Sequence, residues 1–264
     1  MQGNKENQQV SDNNSKLELA ILTVLGDRED QQDSFGYELK QDEGLIVICD
    51  GMGGHKGGKL ASSLAVDEFL RSYNQECPCS DPVSFLDDVT RKTNNRIAAL
   101  KSKDGTILNA GSTLVAVLVK DQQLFWSSVG DSRAYLFRGG EYVQFTFDHN
   151  YRTVLKERWQ AGLIDEHEFV SESAQSEALI SFLGIENLNL IDYNDEPLEL
   201  MKNDKIVVMT DGLYKLVPDE EIFRVINNFN NIEEALQALE MKVRKKARSG
   251  ISRDNMTVAL LKIK

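Results

Sequence analysis

The stretch "IVICDGMGGHKGG", Ile46 to Gly58, decides how the chain is read. Its first four residues are apolar without alternation, the pattern of a short strand buried on both faces. The run ends on a carboxylate, Asp50, and the next residues shed their side chains around a single histidine, His55. From Gly58 onward Leu60, Ala61, Leu64, Ala65 and Phe69 recur at helical spacing. A buried strand, a glycine turn and an amphipathic helix set a charged group at a strand end. Gly51, lacking a Cβ, lets its backbone carbonyl approach a ligand there.

The same reading extends outward. Residues 17–25, 35–39 and 45–49 read as strands, the last two joined by the turn "KQDEG". A helix is expected over 82–100, with Asp81 as N-cap and Pro82 in the first turn. Residues 112–119, 123–129, 133–137 and 141–145 are four strands split by Asp121-Gln122, Gly130-Asp131-Ser132 and Gly139-Gly140. Turns that short predict hairpins and an antiparallel meander. Residues 150–162 read as a helix and the acidic, weakly periodic 163–177 as a mobile insertion. "ALISFLG" and "LNLIDY" are strand candidates, and "KIVVMT" (205–210) is a strong one. Helices are expected over 219–229 and 232–247, and the chain closes on the strand "NMTVALLKI". Residues 1–16 read as a flexible tail and 17–264 as one domain. Segregated strands and helices give an α+β class: a central antiparallel β-sandwich flanked by α-helices on both sides.

Composition excludes several classes. The 264 residues are 41% hydrophobic, ample for a core, and carry a formal net charge of −12. That balance argues against nucleic-acid or anionic-membrane partners. No apolar run approaches the roughly 18–20 residues of a membrane span, and the N-terminus lacks an apolar signal core. The three cysteines, Cys49, Cys77 and Cys79, with three histidines, do not compose a four-ligand zinc site. They read as reduced thiols of a cytoplasmic protein.

The chemistry lies in five carboxylates at strand margins: Asp33 in "REDQQDSF", Asp50, Asp131 in "VGDSR", Asp211 in "IVVMTDG" and Asp254 in "SRDNMTV". Each alone is an ordinary turn former. Converged, they could not all stay ionised without protons or cations among them. Hard dications such as Mg²⁺ or Mn²⁺ suit such oxygen ligands, and a pair of them promotes in-line displacement at phosphorus. Arg28 is placed to meet a phosphate bidentately.

In order along the chain, "REDQQD", "CDGMGGHKGGKLAS", "GSTLVAVLV", "SVGDSRAYLFRGGEYVQFTFDH", "VVMTDGLY" and "SRDNMTVALL" resemble the motifs of the metal-dependent Ser/Thr protein phosphatases, the PPM or type 2C family, in its bacterial form. The resemblance runs from Arg28 to Leu261. It implies hydrolysis of phosphoserine and phosphothreonine in proteins by a hydroxide bridging two Mn²⁺ or Mg²⁺ ions. Asp50 would bridge the metals, Gly51 would offer its carbonyl, Asp211 and Asp254 would each hold one ion, and Asp33 would act mainly through water. Asp131 with Asp211 would form a third, weaker site, and Arg28 would bind phosphate. Phosphoproteins and an opposing Ser/Thr kinase are the implied partners, and residues 150–184 fall at the family's variable flap.

The chain departs from the family pattern at Gln31 and Gln32, where Asn and Glu or Gln are commonest. Its flap also lacks the usual basic and Asn residues, and Met52 stands where some members carry a histidine. His55 is read as ordering the glycine loop. Two rivals are an inactive phosphoprotein-binding pseudophosphatase and a phosphotransfer fold with a phospho-accepting Asp50. The complete carboxylate set opposes the first, and the antiparallel middle of the chain opposes the second.

Overall fold

A computed structural model describes residues 7–76, 80–247 and 250–264, with the side chains of 54–56 excepted. Strands β1 (Asn7–Asn13), β2 (Leu17–Val24), β3 (Ser34–Lys40), β4 (Glu43–Cys49) and β5 (Gly51–Met52) precede helices α1 (Gly54–Glu76) and α2 (Pro82–Ala98). Then come β6 (Gly111–Ser112), β7 (Leu114–Lys120), β8 (Gln123–Val129), β9 (Arg133–Arg138), β10 (Glu141–Gln144), α3 (Tyr151–Gln160) and α4 (Glu166–Glu172). The last part holds β11 (Asp192–Tyr193), β12 (Leu198–Glu199), β13 (Lys205–Met209), α5 (Asp211–Tyr214), α6 (Asp219–Asn228), α7 (Ile232–Ala247) and β14 (Met256–Ile263).

Two antiparallel sheets face each other. One has the order β1-β2-β14-β13-β9-β10, the other β11-β8-β7-β4-β3, with β12 also on β8. Period-two alternation sorts the side chains. Ile46, Ile48, Val115 and Val117 meet Leu19, Ile21, Ile206, Val208 and Leu261 between the sheets. The alternate residues Leu45, Val47, Leu114 and Ala116 turn outward and are covered by α1 and α2 through Ala61, Ala65, Phe69 and Leu86. On the other side Val207, Met209, Val258 and Leu260 are covered by Phe223, Ile226, Leu236 and Leu239 of α6 and α7. Burial on both faces explains the unbroken apolar runs. The α+β sandwich expected from the sequence is the observed fold.

Several local expectations change. Asn7–Asn13 is not tail but an edge strand, paired with β2 from Asn7↔Val24 to Asn13↔Glu18. The turn Asp121-Gln122 does close a hairpin, both residues lying at positive φ. Gly130-Asp131-Ser132 does not: β8 and β9 belong to different sheets, so this turn carries the chain across the sandwich. The segment expected to be a mobile insertion contains α4, closed by a capping box in which Asp165 accepts from the Glu168 N–H and the Glu168 side chain accepts from the Asp165 N–H. None of its residues is buried, so no apolar stripe marks it. "ALISFLG" forms only isolated bridges, Leu179 to Asn150 and Leu183 to Ser112. Cys49 is free and buried, while Cys77 and Cys79 lie outside the described residues. No described helix is long and apolar enough to cross a membrane.

Candidate active site

One end of the sandwich collects the strand termini. Asp50 leaves β4, Asp33 precedes β3, Asp131 sits on the sheet-crossing turn, Asp211 follows β13 and Asp254 precedes β14. Asp50, Gly51, Asp131, Asp211, Asp254 and Arg28 line one cleft of about 540 Å³, with Thr113, Lys215 and Asn255. Asp33 lies beneath its floor, 2% exposed. Both sheets therefore supply carboxylates to one place, as the sequence reading requires.

The glycines allow this convergence. A Cβ on Gly51 would lie 2.1 Å from the Gly58 carbonyl oxygen and 2.8 Å from that of Gln32, so only glycine lets α1 and the Gln32 loop close on Asp50. A Cβ on Gly212 would lie 2.0 Å from the Asn255 carbonyl oxygen, where the Asp211 and Asp254 segments meet. Asp50 is fixed through its backbone: its N–H donates to the Thr113 hydroxyl at 2.9 Å, and its carbonyl accepts from the Thr113 N–H at 2.8 Å.

Asp33 is held by hydroxyls. Its Oδ2 accepts from Thr257 at 2.7 Å and Thr210 at 2.9 Å. The donors form a relay. The Thr257 hydroxyl spends its one hydrogen on Asp33, so Thr23 is the donor in its 2.8 Å bond to Thr257, and Thr23 in turn accepts from the Gln31 amide at 3.1 Å. Gln31 Oε1 also accepts from the Asp33 N–H at 3.0 Å, and the Gln32 N–H donates to Asn255 at 2.8 Å. Gln31 and Gln32 thus brace the loop beneath the cleft.

Electrostatics follow from crowding in a desolvated place. Burial pushes the Asp33 carboxyl up to about 7, with the Thr257 and Thr210 hydroxyls pulling down and Asp211 and Asp254 pushing further up. Burial, then Asp33, Asp211, Asp254 and Asp131, hold Asp50 well above the ordinary carboxylate range. Burial and Asp211 raise Asp131 to about 6, against the pull of Lys215.

Side-chain cations reach into this field. Arg28 is paired with Asp254, and Lys215 Nζ lies 2.6 Å from Asp211 Oδ2. Among the described residues no group of three or more His, Cys, Asp or Glu is arranged around one point as a finished metal site. The donor set nonetheless fits hard cations. Asp33 Oδ1 and Asp211 Oδ1 are buried with no hydrogen-bond partner, which is costly unless something cationic completes them.

Sequence reasoning named the carboxylates and missed their supports: Thr113, Thr210, Thr257, Asn255, Lys215 and Glu177. The first four stand inside motifs already recognised. A threonine in a strand carries no signal of its own, because the residue type is favoured there anyway. A further support lies behind Asp131. Its carbonyl accepts from the Tyr214 hydroxyl at 2.9 Å, and the Arg133 guanidinium stacks over the Tyr214 ring at 3.7 Å. Arg133 is in turn paired with Asp148 at 2.7 Å. His55 begins α1, and its side chain lies outside the described residues.

Comparison with known proteins gives the arrangement its family. Residues 25–246 match the model of protein phosphatase 2C. The chain is 26% identical over 238 residues to the serine/threonine phosphatase stp of Listeria monocytogenes, covering 89% of this chain and 90% of that one. It superimposes on the S. agalactiae serine/threonine phosphatase with a TM-score of 0.79 at 27% identity, over 94% of this chain and all of that one (100%). The catalytic domain of the serine threonine protein phosphatase PstP, in complex with two manganese ions, aligns with a TM-score of 0.74 at 27% identity, over 94% and 98% of the two chains. Taken with carboxylates from two sheets in one cleft, these likenesses make the chain a member of the protein phosphatase 2C family, a bacterial-type protein serine/threonine phosphatase.

Proposed function

We propose that the protein hydrolyses phosphoserine and phosphothreonine in proteins with Mn²⁺ or Mg²⁺ held in this cleft. The observation that carries the reading is the convergence of Asp50, Asp211 and Asp254 above Asp33, with two buried carboxylate oxygens unpartnered. Asp50, the Gly51 carbonyl, Asp211 and Asp254 would hold the cations, and Asp33 would act mainly through water. Asp131 with Asp211 would offer a weaker third position. When bound, the cations supply an activated water and charge neutralisation on the phosphoryl oxygens.

The protein's own groups do the rest. Arg28, 58% exposed at the cleft mouth, can exchange Asp254 for an incoming phosphate and fork onto two of its oxygens. That exchange also frees the Asp254 carboxylate. Thr113 and the glycine turn fix the Asp50 backbone, so the carboxylate is aimed before substrate arrives. Leu179 and Glu177 of the flap form one wall, where the peptide flanking the phosphorylated residue would lie. A cysteinyl-phosphate route through Cys49 is disfavoured, because burial drives its thiol far above the reactive range.

Residues 17–264 would act as one catalytic domain, in the cytoplasm, opposing a Ser/Thr protein kinase. The test is turnover of p-nitrophenyl phosphate and phosphothreonine peptides with Mn²⁺, Mg²⁺ or EDTA. Asp50→Asn and Asp211→Asn should fold and lose at least about a hundredfold of the cation-dependent rate. Undiminished activity in both would remove the assignment.

A further inference from the structure

The α6–α7 pair carries an apolar groove of about 360 Å³ that shares no lining residue with the carboxylate cleft. Val225 and Phe229 on one side and Met241 on the other form its floor, and Arg224, Lys242 and Lys245 stand around it. Val225 is buried in the core beneath, but Met241 is 61% exposed. Charge also sets this surface apart. The chain carries a formal net charge of −12, yet residues 241–246 hold four cations and no carboxylate. Glu221 is paired with Lys242 at 2.7 Å and Lys246 at 3.3 Å, and lies 3.9 Å from Arg224. One carboxylate thus faces three cations, and Lys245 is exposed beside them. Cations near the end of α7 also complement the helix dipole. Arg224, midway along α6, does not share that cause, and neither does the exposed Met241.

We propose that this groove docks an acidic amphipathic helix of a partner protein, with its apolar face on Phe229 and Met241 and its carboxylates on Arg224, Lys242 and Lys245. Two helices with an apolar furrow between them offer a third helix places for anchors at i, i+3 and i+4. Covering Met241 supplies the hydrophobic anchor. The cations around the furrow select a partner of opposite sign and speed its encounter. A second copy of this chain would bring its own net charge of −12 against the first, which opposes self-association. A membrane or a nucleic acid would meet the cations and leave the recessed apolar floor unfilled.

The probe is a dye-labelled synthetic amphipathic helical peptide with leucines on one face and glutamates on the other. One control peptide has lysines for the glutamates, another serines for the leucines. Anisotropy gives the affinity, and amide exchange of residues 224–229 and 238–245 gives the place. The proteins compared are wild type, Met241→Glu, Lys245→Glu and Arg224→Glu. The acidic peptide should bind wild type and protect both segments, and neither control should. Met241→Glu should weaken binding at least about tenfold. Lys245→Glu and Arg224→Glu should each weaken it about tenfold at low salt, and less as salt rises. No binding of the acidic peptide, equal binding of a control, or undiminished binding by Met241→Glu overturns the docking site. So does capture of anionic vesicles that depends on Met241, which would make the surface membrane-facing. Turnover of p-nitrophenyl phosphate should be the same in every variant, because none of the changed residues lines the cleft. A wild type with no turnover overturns the functional reading and leaves the groove standing.

Discussion

The hydroxyl relay beneath the cleft makes Thr257 a test of how Asp33 is prepared for a cation. In Thr257→Val the carboxylate loses its 2.7 Å bond and keeps the 2.9 Å bond from Thr210. A hydrogen bond to a buried charged acceptor contributes about 1.5 kcal/mol or more, which is about one pKa unit. Asp33, already pushed up to about 7 by burial, would rise to about 8 by that amount. Near pH 7 its ionised fraction would fall from about one half to about one tenth, and Mn²⁺ half-saturation would rise about fivefold, since the cation competes with the proton. By about pH 9 the carboxyl is mostly ionised in both proteins, and the two curves should meet. The assay is Mn²⁺ titration across that range by calorimetry, with Thr257→Ser as the variant that keeps the hydroxyl. A Thr257→Val defect of constant size at every pH, or none, would refute the reasoning.

Other outcomes follow from the same structure. In EDTA, stability should fall as pH rises from about 4 to about 7 and level off above, because Asp33 and Asp131, at about 7 and about 6, are raised above the ordinary value of 3.8, so the folded state holds their protons across that window and the unfolded state does not. Mn²⁺ should remove that slope in a thermal melt, and a flat metal-free profile would contradict it. His149 works the other way: burial holds it down to about 4 and its neutral ring accepts from the Gly130 N–H at 3.2 Å, so its contribution is lost as pH falls from about 6.5. Gly212→Ala should cost about 3 kcal/mol in urea unfolding and weaken Mn²⁺ binding, since the new methyl meets the Asn255 carbonyl rather than a side chain that could yield. Glu68 is wholly buried yet meets Arg71 at 2.5 Å, Lys92 at 2.9 Å and Arg96, joining α1 to α2. Glu68→Ala should cost about 2 kcal/mol by the same assay, less than for a fully buried pair because the cations are half exposed.

The legible parts of the chain are those where burial imposes a period. β4, β7 and β13 are buried on both faces and read as apolar runs, and α7 shows its stripe through Ile232, Ala235, Leu236, Leu239 and Val243. Asp50, Asp211 and Asp254 were legible because each follows or precedes such a run. β1 was not, since "NQQVSDN" is polar and its strand rests on backbone pairing at a sheet edge. Nor was α4, which has caps but no buried face. The crossing at Gly130-Asp131-Ser132 looked like a hairpin because a tight turn has the same composition whether it returns to its own sheet or passes to the next. The partner of Arg28 belongs to tertiary structure: Asp254 lies 226 residues from it, and no local pattern joins them.

Dications among the carboxylates of Asp50, Asp211 and Asp254 are what every role proposed for the cleft requires. The most direct measurement is anomalous diffraction from crystals grown with Mn²⁺. Two strong peaks in the cleft, about 3.5–4 Å apart and both within ligating distance of Asp50, are the predicted result. A cleft without anomalous density, with Arg28 and Lys215 still seated on Asp254 and Asp211 at saturating Mn²⁺, would contradict it.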